Sequence, residues 1–179
     1  MGLVIALFVR LVVPLSILRW PLGGLLASMA ADGLDVVFVH GVGGAPWPRT
    51  EEVFANNYAL IDKSLDTYYL TLAFLMSRRW PEAIARRAAA VLYFWRVAGL
   101  AMIVFGGPNW WLLIFANFFE NFYLVYAIAQ RFWPGWRVKT ARRLAVVLVL
   151  IGIPKLVQEY YFHVLDITPW PWFQRTFLS

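Results

Sequence analysis

The stretch Asp35-Val36-Val37-Phe38-Val39-His40-Gly41-Val42-Gly43-Gly44 admits two readings, and the choice between them decides the fold. A β-branched run closing on His-Gly-x-Gly-Gly can be a strand feeding a loop whose backbone N–H groups stabilise an oxyanion. That chemistry needs a nucleophile on a G-x-S-x-G turn. The five serines are Ser16, Ser28, Ser64, Ser77 and Ser179, none stands in that pattern, and there is no cysteine to take their place. The second reading is therefore preferred. The run is the end of an apolar helix, and the glycines terminate it.

Composition supports the helix. Of 179 residues, 61% are hydrophobic, 18% aromatic and 15% charged. An average soluble domain is about 25% charged. Mean hydropathy is +0.64. The expected fold class is all-α, a polytopic transmembrane helical bundle forming a single integral membrane domain over residues 1–179. Absence of cysteine excludes disulfides, thiolate catalysis and cysteine-type zinc sites.

A spanning helix needs about 20 mostly apolar residues. Six candidate segments follow, at 2–18, 20–41, 60–77, 88–106, 110–130 and 144–165. The first is short and holds Arg10 and Pro14; it spans, lies in the interface or re-enters. It lacks the basic n-region of a signal peptide, so it is expected to be retained. Gly106-Gly107-Pro108-Asn109 reads as the turn between the fourth and fifth segments.

Charge sets the expected orientation. The stretch 78–87 has four arginines and one glutamate, and 131–143 has five basic residues and no acid. Short loops of this kind stay cytoplasmic. With Arg19, ten of the sixteen basic residues fall on that side. The loop 42–58 and the tail 168–179 fall outside. The net charge of +6 is thus an insertion signal and a grip on anionic membrane lipid, not a nucleic-acid footprint.

Six of the ten acids lie within the segments: Asp32, Asp35, Asp62, Asp66, Glu120 and Glu159. Arg10, Lys63, Arg96 and Lys155 lie there too. Each costs at least ~2.5 kcal/mol at the centre of an inserting helix, so each must pair, line water or do a job. Helical spacing groups them into stripes: Asp32 with Asp35, Asp62 with Asp66, Asn117 with Glu120 and Asn121, and Lys155 with Glu159 and His163. Polar stripes in lipid turn toward one another. A polar cavity opening outward is expected, lined by segments two to six.

The candidate catalytic residues are Asp62, Asp66, Glu120, Glu159 and His163, as acids, bases or a proton relay. Arg96, Lys63, Lys155, Asn117 and Asn121 are the candidate substrate-binding residues. Hard divalent cations prefer carboxylate oxygens, which makes Asp32, Asp35, Asp62, Asp66 and Glu120 a candidate metal set and a divalent cation the candidate cofactor. The expected function is an enzyme acting on an amphipathic, lipid or isoprenoid-like substrate by acid or metal-assisted chemistry. The alternatives are a small ion- or proton-coupled transporter and an accessory subunit of a larger membrane complex. Expected partners are membrane lipids and a second copy or larger assembly, with no nucleic acid. No P-loop, GxGxxG or H-E-x-x-H motif is present.

Overall fold

The computed structural model describes residues 2–41, 50–105 and 111–163. The described chain is all-α. Helices α1 (Gly2–Val12), α2 (Pro21–Gly41), α3 (Thr50–Ser77), α4 (Ala83–Val104), α5 (Trp111–Ile114), α6 (Phe118–Phe132) and α7 (Ala141–His163) follow in order, with one 3-10 helix, Val13–Leu18, after α1. Six of the α-helices have eleven residues or more.

The expected segments appear as helices, with corrections to their bounds. Segment one is not one helix, because Pro14 lacks an N–H and crowds the carbonyl four residues back. The chain tightens there into the 3-10 turn, with Pro14 and Ile17 buried. Segment two is α2, opened by Pro21 at the first helical position, where a missing N–H costs nothing. Segment three begins about ten residues earlier than expected, at Thr50. Thr50-Glu51-Glu52 is a helix-start sequence: a capping residue type, then acids suited to the N-terminal dipole. Segment six is α7, with Pro154 inside it. The stretches 42–49, 106–110 and 164–179 lie outside the described residues, and with them the Gly106–Asn109 turn, the first part of the loop 42–58 and the tail expected to face outward.

Segment five is the main correction. It is broken into α5 and α6 by three non-helical residues, Phe115 to Asn117. Asn117 starts a new helix instead of extending an old one.

Helix α6 is the centre of the bundle, touching α2, α3, α4 and α7, while α1 and the 3-10 turn pack on α2 and α3. Its buried face is aromatic: Phe119, Phe122, Tyr123 and Tyr126. Phe74 of α3 stacks on Tyr93 of α4 with centroids 4.5 Å apart, and Trp80 stacks on Tyr126 at 3.7 Å. Small residues let backbones approach. Ala73, Ala85 and Ala89 are fully buried in the core. At Gly24 a Cβ would stand 2.3 Å from the Ile17 backbone nitrogen, so only glycine lets the 3-10 turn lie against α2.

Four helices, α2, α3, α4 and α7, run 21, 28, 22 and 23 residues. At ~1.5 Å per residue they reach about 30 to 42 Å. Among the described residues, however, no helix is long and apolar enough to cross a membrane.

Candidate functional site

Two polar clusters lie inside the bundle. The first gathers around Arg10 and Glu120. Arg10, only 5% exposed, ion-pairs with Asp32 of α2 and with Asp66 of α3, the latter at 2.8 Å. One guanidinium thus ties three helices together. Its planar fork suits two carboxylates better than an ammonium would. Lys63 lies 3.8 Å from Asp66, one turn away on α3. Asp66 is mostly buried while Asp32 keeps a partly exposed edge.

Glu120 sits at the break between α5 and α6. Asn117 caps α6: its Oδ1 accepts from the Glu120 backbone N–H at 3.3 Å, and its Nδ2 donates to Glu120 Oε2 at 2.5 Å. Tyr69 of α3 lies beside the same carboxyl, and Lys155, Asp66 and Arg96 all lie within electrostatic reach.

The break frees carbonyls that a continuous helix would satisfy. Two neighbouring residues of α4 take them up. Trp95 Nε1 donates to the Ile114 carbonyl at 3.1 Å, and Arg96 Nη1 to the Phe115 carbonyl at 3.2 Å. Gly99, one turn on, lets Phe115 press against α4, since a Cβ there would stand 2.1 Å from the Phe115 Cβ. Arg96 is buried, and its Nε has no partner among the described residues.

The second cluster closes the arginine-rich end. Glu82 is buried; it accepts from the Tyr126 hydroxyl and from Arg137 Nη1, the latter at 3.1 Å. Gln130 donates to Tyr126 at 3.1 Å. Arg86 donates to the Trp80 carbonyl at 2.5 Å, and Arg143 to the Arg137 carbonyl at 3.1 Å. The loops at 78–87 and 131–143 therefore meet at one end of the bundle. Burial alone would raise the Glu82 carboxyl. The bonds from Tyr126, its own backbone and Arg137, with the charge of Arg137, outweigh burial and hold it below its ordinary value of 4.5.

Of the residues singled out in the sequence, Asp32, Lys63, Asp66, Asn117, Glu120, Arg96 and Lys155 are placed in or beside the first cluster. Asn121 is half-buried on α6. The side chains of Asp35, Asp62, Glu159 and His163 lie outside the described residues. Asn117 acts as a helix cap, not as a member of a continuous stripe. Among the described residues no three His, Cys, Asp or Glu side chains gather to hold a metal ion. Between Asp32 and Asp66 stands Arg10, doing the charge-balancing that a divalent cation would otherwise do.

Arg10, Tyr69, Glu82, Tyr126 and Arg137 are missing from the sequence-derived site. Two left a signal. Arg10 is a lone cation in an apolar run, and Glu82 is the lone acid within the two basic stretches 78–87 and 131–143.

Two grooves lie on described residues. One, of about 380 Å³, runs between α4, α6 and α7 along Leu92, Phe118, Leu148, Gly152, Ile153 and Leu156; its lining is wholly apolar. It lies beside the first cluster: Leu92 is one helical turn from Arg96, and Lys155 stands between Ile153 and Leu156. The other lies at the arginine-rich end. Comparison with protein-family models, curated proteins and solved structures returns no match to this chain.

Proposed function

We propose that the chain is a multi-pass membrane protein that acts on an amphipathic, lipid or isoprenoid-like substrate, with Glu120 as its acid–base group. The observation that carries this reading is the apolar groove between α4, α6 and α7 beside the Glu120 cluster. A tail fits the groove. A polar head then meets Lys155 and Glu120 where the backbone of α5 and α6 is interrupted. Irregular backbone at membrane depth is tolerated where it lines a polar cavity or is buried in protein.

The membrane environment is supported by the surface. Phe8, Val91, Phe94, Val149, Leu150 and Ile153 are all exposed, on α1, α4 and α7. Monomeric soluble proteins rarely show contiguous apolar patches beyond a few hundred Å². The described charges on α1, α2, α3 and α6 are met inside the bundle, Arg10 by Asp32 and Asp66 and Glu120 by Asn117, as intramembrane charges are. By the positive-inside rule the end holding Glu82 and Arg137 faces the cytoplasm, and the site opens toward the outer leaflet.

In this mechanism Glu120 gives a proton to the leaving or developing basic atom of the head group and takes one back from the incoming nucleophile. Asn117 holds its carboxyl in place. Arg96 and Trp95 keep the break open by satisfying its carbonyls. Arg10 locks α1, α2 and α3 around the site.

The test is substrate trapping by the detergent-purified chain and two variants. Gly152→Leu fills the groove, and a Cβ at Gly152 meets Phe118 only at an ordinary 3.8 Å, so the new side chain starts without a clash. It should abolish retention of a long-chain phosphate amphiphile, while Glu120→Gln should retain the amphiphile and lose turnover. Unchanged retention in Gly152→Leu overturns the reading. The broken helix also suits a carrier, since interrupted helices mark transporter binding sites. Flux in liposomes abolished by Glu120→Gln, with no chemical product, would select that second reading.

A further inference from the structure

We infer that the arginine-rich end carries a separate binding site for an anionic phospholipid, with its acyl chain in the groove beneath Trp133 and its phosphate on Arg131 and Lys139. The inference goes beyond the Glu120 site and rests only on the membrane reading.

The groove measures about 730 Å³ and is lined by Val125, Ala129, Phe132, Trp133, Gly135 and Trp136 among others, with almost no polar surface. Ligand pockets commonly hold 300 to 1,000 Å³. Its wall is built by the turn after α6. Trp133 N–H donates to the Ala129 carbonyl and Trp136 N–H to the Trp133 carbonyl, each at 2.8 Å. The turn folds back and leaves Phe132 and Trp133 about two-thirds exposed. Aromatic rings so placed match the headgroup level of a bilayer.

Charge selects the occupant. Arg137 is spent on Glu82 and Arg143 on the Arg137 carbonyl. Arg131, directly before Phe132, and Lys139, three residues after Trp136, are exposed and make no ion pair among the described residues. The one acid described at this end, Glu82, is buried and neutralised. An apolar slot whose lining residues are flanked in the chain by uncommitted cations, at 131 and 139, is complementary to a molecule with a hydrocarbon tail and a negative head. Each Lys or Arg near a membrane surface favours anionic lipid by about fivefold. A soluble anion would use the cations and ignore the groove.

The experiment titrates detergent-purified full-length protein with phosphatidylglycerol, phosphatidylcholine or glycerol phosphate, and reads the midpoint of thermal unfolding. Phosphatidylglycerol should raise it, and the other two should not. Arg131→Gln with Lys139→Gln should weaken the phosphatidylglycerol effect on the order of tenfold. Gly135→Leu should do so by blocking the slot; a Cβ there meets nothing within 4 Å, so the new side chain starts in open space. Equal effects of the two lipids, a full effect of glycerol phosphate alone, or unchanged titrations in both variants would overturn the inference.

Discussion

Replacing Asn117 dissects the break between α5 and α6. Its side chain does two jobs for Glu120: it accepts from the backbone N–H at 3.3 Å and donates to the carboxyl at 2.5 Å. Loss of a helix cap costs about 1 kcal/mol. Leaving a buried acceptor without its donor costs about 1 to 3 kcal/mol. Asn117 is only 6% exposed, so water cannot readily replace it. Asn117→Ala should therefore destabilise by about 2 to 4 kcal/mol. Asn117→Ser keeps a capping oxygen and loses the amide donor, so it should cost about 1 to 3 kcal/mol. Asn117→Asp keeps the cap and sets a second carboxyl against Glu120; it should fall below Ser at neutral pH and recover on acidification. A protein of this size shifts its melting point by about 2 to 4 °C per kcal/mol, so thermal unfolding in detergent should separate the series by several degrees. If Asn117→Ala falls within about 0.5 kcal/mol of wild type, or Ser is as damaging as Ala, the cap-and-clamp account of the break fails.

The remaining predictions concern the rest of the bundle. The Glu82 carboxyl is held low, so its stabilisation is present above its ordinary value of 4.5 and is lost as pH falls through the folded value; Glu82→Gln should flatten that acid limb in a thermal-stability profile. In a double-mutant cycle Glu82→Gln and Arg137→Gln should couple by about 1 kcal/mol, the low side for a buried acid because Arg137 is 38% exposed; additive losses would show that the two loops are not joined through this pair. Gly99→Ala should cost at least about 2 kcal/mol, because its Cβ meets the Phe115 Cβ and must displace the broken segment; wild-type melting would contradict the close approach. Single cysteines at Thr140 and at Ala45 should label from opposite sides of sealed vesicles, and labelling from one side would end the topology.

The helices were legible because their signal is local. Apolar runs of about 20 residues, Pro21 at a start and basic loops between runs needed no partner to be read. The 3-10 turn at Pro14 and the early start of α3 at Thr50 were also written in residue types, but longer apolar runs masked them. The break in segment five was not legible. Trp110 to Gln130 reads as one apolar helix, since Asn117 suits a helix stripe and an N-cap alike. What selects the cap is Arg96 and Trp95 of α4 waiting for the freed carbonyls, with Gly99 making room.

The chain by itself determined an all-helical architecture and the presence of costly charges within its helices, since propensity, hydropathy and 3.6-residue spacing act over one or two turns. Only the tertiary structure decided which charges meet. Arg10 reaches Asp66 across 56 residues, and Arg137 reaches Glu82 across 55. A charge in low dielectric must find an opposite charge or a donor, but sequence spacing cannot say which helix supplies it. That choice belongs to the packing of α6 against its neighbours.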